Sequence, residues 1–201
     1  MRRIVTFPDP ILRKESKAIK AWGKKEVELS ADLKKELAES KIGIGLSAPQ
    51  LGENQMVFIA QKDLFFPCSD EACEHEHKSE YVVFINPQIK KGFGGKGFPL
   101  MVGHGEETEE FMEGCLSFPD LYGPVKRFLK IKVGYQEPDE KGKLVEREGV
   151  FEDLGAIVFQ HELDHLNGIL FVDHLKEEER GLFKLDEGGK RTKIDLQAML
   201  G

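Results

Sequence analysis

The 201 residues, 40% of them hydrophobic, are enough for one well-buried core and too few for two, so a single domain over residues 1–201 is expected. A net charge of -7 leaves no basic excess to neutralise phosphates, which argues against a nucleic-acid partner. No apolar run reaches the roughly 20 residues that span a bilayer, no signal-peptide core opens the chain, and Cys68, Cys73 and Cys115 make no disulfide framework, so a cytoplasmic protein without a membrane partner is expected.

In chain order, residues 7–13 contain Pro8 and Pro10 and are expected to be extended or turn-like. Ala31, Leu33, Leu37 and Ala38 recur at helical spacing among lysines and glutamates, predicting an amphipathic helix over 30–40 that Glu26, Val27 and Leu29 extend backward. The glycines and proline of Gly43-Ile44-Gly45-Leu46-Ser47-Ala48-Pro49-Gln50-Leu51-Gly52 exclude regular helix. Read alone, that segment is a tight connection into a strand at 56–60. Residues 81–85 form another strand, closed by Asn86-Pro87.

Between these strands lie Cys68, Cys73, His75 and His77. Two thiols and two imidazoles can in principle hold zinc, but Cys-x4-Cys-x-His-x-His is awkward for a closed tetrahedron, and residues 63–79 are expected to be a solvent loop. Residues 91–112 are glycine-rich and then acidic, the composition of a second long loop. Residues 129–135 alternate as a half-buried strand and turn through 139–143 into a partner near 144–150, a hairpin. Asp153 is expected to cap a helix that carries Leu154, Ile157, Val158, His161 and His165 on its inward face and ends at Gly168. From about residue 176 a charged tail is expected, with a short helix near 194–199.

The helix holds the pattern His-Glu-x-x-His in Gln160-His161-Glu162-Leu163-Asp164-His165. Histidines four residues apart leave one face a turn apart and can bind one metal ion, while Glu162 rises beside it as a base for an activated water. A third ligand has to be found. Gly168 fits His-Glu-x-x-His-x-x-Gly-x-x-His, but the last position is Phe171, and Asp186 or Glu187 lack a convincing helix. The thiol of Cys115, in Glu113-Gly114-Cys115-Leu116-Ser117, is an upstream alternative. On the residues alone a zinc endopeptidase and a non-catalytic structural zinc module both stay open.

Taken in order, residues 43–50, Glu113-Gly114-Cys115-Leu116-Ser117 and the His-Glu-x-x-His segment resemble the three signature motifs of peptide deformylases. Pro8-Asp9-Pro10-Ile11-Leu12-Arg13 and Asn167-Gly168-Ile169-Leu170-Phe171-Val172-Asp173 look similar too, so the resemblance runs from Phe7 to about Leu175. Ser47 departs from it, standing where the family usually has alanine, and the stretches 63–79 and 91–112 look longer or more divergent than usual. The resemblance implies an α+β fold, with mostly antiparallel sheets packed around a central metal-binding helix. It also implies that Cys115, His161 and His165 bind the metal, that Glu162 is the base, and that the Gln50 side chain and the Leu116 N–H hold the oxyanion. Ile44, Gly45 and Gly114 would pair with substrate backbone, Ile157 and Val158 would wall a methionine pocket, and Glu113 with Arg127 would brace the cysteine loop. The implied reaction is hydrolysis of the formyl group from N-formylmethionine of a newly synthesised polypeptide, releasing formate, with the ribosome as a further candidate partner. The implied cofactor is one divalent ion, Fe2+ in bacterial members, with Zn2+, Ni2+ or Co2+ suiting the same thiolate and imidazole donors.

Overall fold

The computed structural model of this chain describes residues 3–40, 42–66, 80–102, 108–186 and 190–200, with backbone alone at 101, 102 and 108. The loop cysteines and histidines, Cys68, Cys73, His75 and His77, lie outside the described residues. The strands are β1 (Gly45–Ser47), β2 (Val57–Gln61), β3 (Tyr81–Gly92), β4 (Leu100–Val102), β5 (Thr108–Glu110), β6 (Met112–Cys115), β7 (Phe118–Pro124), β8 (Lys130–Pro138), β9 (Leu144–Glu152), β10 (Leu182–Leu185) and β11 (Arg191–Ile194). The helices are α1 (Lys24–Glu39), α2 (Asp153–Leu166), α3 (Phe171–Glu177) and α4 (Leu196–Leu200).

All named strand pairs are antiparallel. One sheet runs β1-β2-β3-β8-β9, a second runs β11-β10-β7-β6, and β4 and β5 form a separate hairpin. With helices packed on antiparallel sheets, the fold is α+β.

Period-two alternation in β2 explains the layering. Val57 and Ile59 face Leu29, Leu33 and Leu37 of α1, while Phe58 and Ala60 face Ala156, Val158 and Phe159 of α2. The larger sheet is thus buried on both faces at β2. On the α2 side Phe58, Phe84, Phe151 and Phe159 meet mostly edge to face, with centroids 4.7–5.8 Å apart, contacts each worth about 0.5–1.5 kcal/mol beyond burial. A third cluster, with Leu12, Phe118, Phe171, Val172, Leu175 and Leu182, joins α3 to the second sheet.

The turn-like segment expected at the N-terminal prolines is present as a 3₁₀ turn, Pro10–Arg13, with Pro10 in its first turn and Asp9 accepting from the Ile11 N–H at 2.9 Å. Several expectations from the sequence give way to tertiary context. Asn86-Pro87 does not end its strand. Asn86 adopts φ 48, the β3–β8 register shifts between Ile85 and Gln88, and the bulge accommodates a residue without an N–H. The stretch 91–112, expected as a loop, contains β4 and β5. Asp153 is the first residue of α2 rather than its cap, with Glu152 in the cap position. The charged tail is structured: β10 pairs with β7 through Phe183↔Tyr122 and Lys184↔Leu121, and with β11.

Candidate metal centre and substrate cleft

The strand β6 ends at Cys115, and its register against β7 slips between Gly114 and Cys115. Such a bulge re-aims a side chain out of the pleat, here bringing the thiol to α2. The helix presents His161 and His165 with ring centroids 5.0 Å apart and planes at 80°. Cys115 Sγ is 3.1 Å from His165 Nε2, and one ligand atom from each of Cys115, His161 and His165 lies within 4.8 Å of the others. Bonds of about 2.0–2.3 Å would let a single ion satisfy a sulfur and two nitrogens so spaced. Among the described residues the group contains these three alone, the ligand number of a catalytic rather than a closed structural site. Phe171, in the place of the sought third histidine, is buried edge-on against Phe118.

Burial alone would push the Cys115 thiol up, but the charge of His165 and hydrogen bonds with both imidazoles bring it down to about 5. The two imidazoles thus favour the thiolate, the form that binds metals. The Nδ1 of His161 lies 3.0 Å from Glu113 Oε2, which leaves Nε2 for an ion. Arg127 grips the same carboxylate in a fork, with Nε 2.6 Å from Oε1 and Nη2 2.9 Å from Oε2, and its Nη1 donates to Asp164 Oδ2 at 2.6 Å. His174 Nε2 meets that oxygen at 2.8 Å. Burial opposes ionisation of Glu113, yet the Arg127 charge and hydrogen bonds outweigh it and hold the carboxyl at about 2. By contrast, His165 Nδ1 is buried without a partner, so the two imidazoles are held unequally.

Glu162 is buried against β1, where a Cβ on Gly45 would fall 2.5 Å from its Oε1. Burial raises its carboxyl pKa, the charges of His161 and His165 offset part of this, and Oε2 has no hydrogen-bond partner. A carboxylate in that setting is suited to exchanging a proton. Gln50 lies in a 3₁₀ turn, Ala48–Leu51, and its Nε2 is 3.5 Å from Cys115 Sγ and 3.3 Å from Ser117 Oγ.

A cavity of about 260 Å³ is lined by Ile44, Gly45, Gln50, Gly114, Cys115, Leu116, Ile157, Val158, His161 and Glu162, with Ile42, Gly43, Phe111, Met112, Glu113, Phe118 and Tyr122 completing its walls. His165 is covered behind Cys115, at 1% exposure. Apart from His165, the candidate site residues read from the sequence line one cleft. Not selected were Ser117, Asp164, His174 and Tyr122. Asp164 sits inside the histidine motif, so its place beside Arg127 had a local signal. Tyr122 had none, because it reaches the cleft through its cross-strand pairing with Gly114.

The polypeptide deformylase family model matches residues 1–181. The chain belongs to the polypeptide deformylase family. A peptide deformylase of Desulfotalea psychrophila is 40% identical over 182 residues, covering 90% of this chain and 92% of that one. One of Agrobacterium fabrum is 34% identical over 182 residues, covering 90% and 91%. Among solved structures, peptide deformylase from Plasmodium falciparum superimposes with a TM-score of 0.67 at 28% identity, over 88% of this chain and 90% of that one. The Thermotoga maritima peptide deformylase does so at 0.64 and 32%, over 87% and 97%. Deformylases are metallohydrolases that remove the formyl group from nascent polypeptides, so this chain is a hydrolase of protein biosynthesis. No helix among the described residues is long and apolar enough to cross a membrane.

Proposed function

We propose that Cys115, His161 and His165 hold the catalytic ion of this deformylase, Fe2+ in vivo, beside a proton-carrying Glu162. The observation that carries this reading is the convergence of one thiolate and two imidazoles within 4.8 Å at a cleft that also contains Gln50 and Glu162. When bound, such an ion polarises the formyl oxygen and acidifies water beside it.

The chain's own groups supply the rest. The carboxylate of Glu162 takes a proton from the attacking water as its oxygen bonds to the formyl carbon, then delivers it to the amine nitrogen as the carbon–nitrogen bond breaks. Formate and a free amino terminus result. Gln50 Nε2 and the Leu116 backbone N–H donate to the oxyanion that develops on the former formyl oxygen. The peptide enters as an added strand between β1 and β6, each of which ends its sheet order, and Ile44, Gly45 and Gly114 pair with its backbone. Glycines there let the two backbones approach. Ile157 and Val158 form the apolar wall against the methionine side chain.

Formate release from a formyl-Met peptide by protein purified without oxygen, with metal analysis of the same sample, tests the reading. Glu162→Gln should retain the ion and lower turnover by about 10²–10⁴-fold; turnover near that of the parent removes Glu162 from its role. Zinc instead of iron in active protein would overturn the choice of ion, since thiolate and imidazole accept both. A cytoplasmic location and contact with the ribosome belong to the same proposal, resting on a nascent chain as substrate, and co-sedimentation with ribosomes checks the contact.

A further inference from the structure

We infer that the Ser47 hydroxyl is a positioning group for the reaction, fixing the Gln50 amide so that its N–H edge faces the reacting carbonyl. The inference deepens the proposed function and rests on Gln50 as the oxyanion donor. Ser47, the last residue of β1, is completely buried, and Gln50 is 1% exposed. The oxygen and nitrogen of a carboxamide have nearly the same shape, so its partners decide which edge points where.

On one edge, Gln50 Oε1 accepts from both the backbone N–H and the hydroxyl of Ser47, each at 2.9 Å. On the other edge Nε2 faces Cys115 Sγ at 3.5 Å and Ser117 Oγ at 3.3 Å. A flipped amide would turn its oxygen to a thiolate and its NH2 to a backbone N–H, leaving two mismatched buried pairs. The backbone donor occupies one lone pair of Oε1 and is present whatever residue stands at 47. The hydroxyl occupies the second; the Glu162 carboxylate is another acceptor within its reach, and the 2.9 Å contact assigns its one proton to Gln50. Its contribution is therefore restraint of the amide, together with polarisation: two hydrogen bonds into the oxygen strengthen the N–H groups as donors. An oxyanion donor acts only when it lies within hydrogen-bond range of the charge that develops, so restraint at Oε1 acts on kcat rather than on substrate binding.

Ser47→Ala keeps the backbone donor and removes the hydroxyl. In metal-loaded protein it should lower kcat by about 3–10-fold, the worth of one hydrogen bond, with KM changed less than about twofold. A double-mutant cycle separates the two assignments. If Gln50→Ala alone leaves kcat intact, the oxyanion role falls and this inference with it. If Gln50→Ala lowers kcat and Ser47→Ala then lowers it further by the same factor as in the parent, Ser47 acts independently of Gln50 and the inference is overturned. Loss of the Ser47 effect in the Gln50→Ala background is the expected result. An NMR readout needs no turnover and serves even where Gln50→Ala fails to fold. The Gln50 side-chain NH2 resonances should move upfield and exchange faster with solvent in Ser47→Ala, and unchanged resonances would overturn the positioning role.

Discussion

Glu113 has both carboxylate oxygens bound by Arg127 and one of them shared with His161, all inside the protein. Its folded pKa of about 2 lies below the ordinary 4.5. The stabilisation it provides is therefore complete above pH 4.5 and disappears as the pH falls through 2. Glu113→Gln leaves Arg127 short of a buried counter-charge, which should cost about 3–5 kcal/mol near neutral pH. Urea unfolding of metal-free parent and variant from pH 7 down to acid should show that difference shrinking below pH 4.5; a pH-independent difference would mean packing rather than charge is lost. The motif Glu113-Gly114-Cys115 announced the thiol. It did not announce that its first residue orients His161 from 48 positions away.

At the scale of elements, α2 is ended by geometry as much as by sequence. Gly168 takes φ 71, and a Cβ there would stand 2.6 Å from the backbone oxygen of Arg13. Gly168→Ala should therefore destabilise the fold by about 1–3 kcal/mol through strain and the displaced N-terminal segment, measured as a lower denaturation midpoint with metal content retained. An unchanged midpoint would mean that the N-terminal segment yields at no cost. The helix itself was readable from Leu154, Ile157, Val158, His161 and His165, because helical periodicity is local. The β8–β9 hairpin was readable for the same reason, and its register runs unbroken from Lys130↔Glu152 to Pro138↔Leu144. Strands β10 and β11 were not readable: Phe183 and Lys184 are held by pairing with β7, a partner about sixty residues earlier.

Across the whole molecule, the proposed ligands come from two bodies. Cys115 ends an edge strand of the second sheet, while His161 and His165 ride on a helix packed on the first. A bound ion would tie the sheets together and stabilise the native state alone, by about 3–4 kcal/mol at 100–1,000 times its dissociation constant. Chelation should lower the thermal midpoint, and Fe2+ or Zn2+ added back without oxygen should restore it. Cys115→Ala should show little response to either treatment, whereas a parent-like response would place the ion elsewhere. The C-terminal segment from Leu182 lies beyond the matched family region, 1–181. It adds β10 and β11 to the sheet that bears Cys115, and Arg191 pairs with Glu109 of β5 at 2.6 Å.

By itself the sequence carried the motifs on which the family resemblance and the candidate site residues rest. Two histidines one helical turn apart with a glutamate between, a cysteine after glycine, and a glycine-rich segment ending in glutamine are patterns within a few residues, governed by helical period and backbone freedom. Tertiary structure decided how those residues meet. The bulge at Gly114 turns Cys115 to His165, the buried Arg127 ties Glu113 to Asp164, and the Gln50 amide is brought against Cys115 and Ser117. Each of these depends on pairing or burial between segments remote in the chain, and no local period records that.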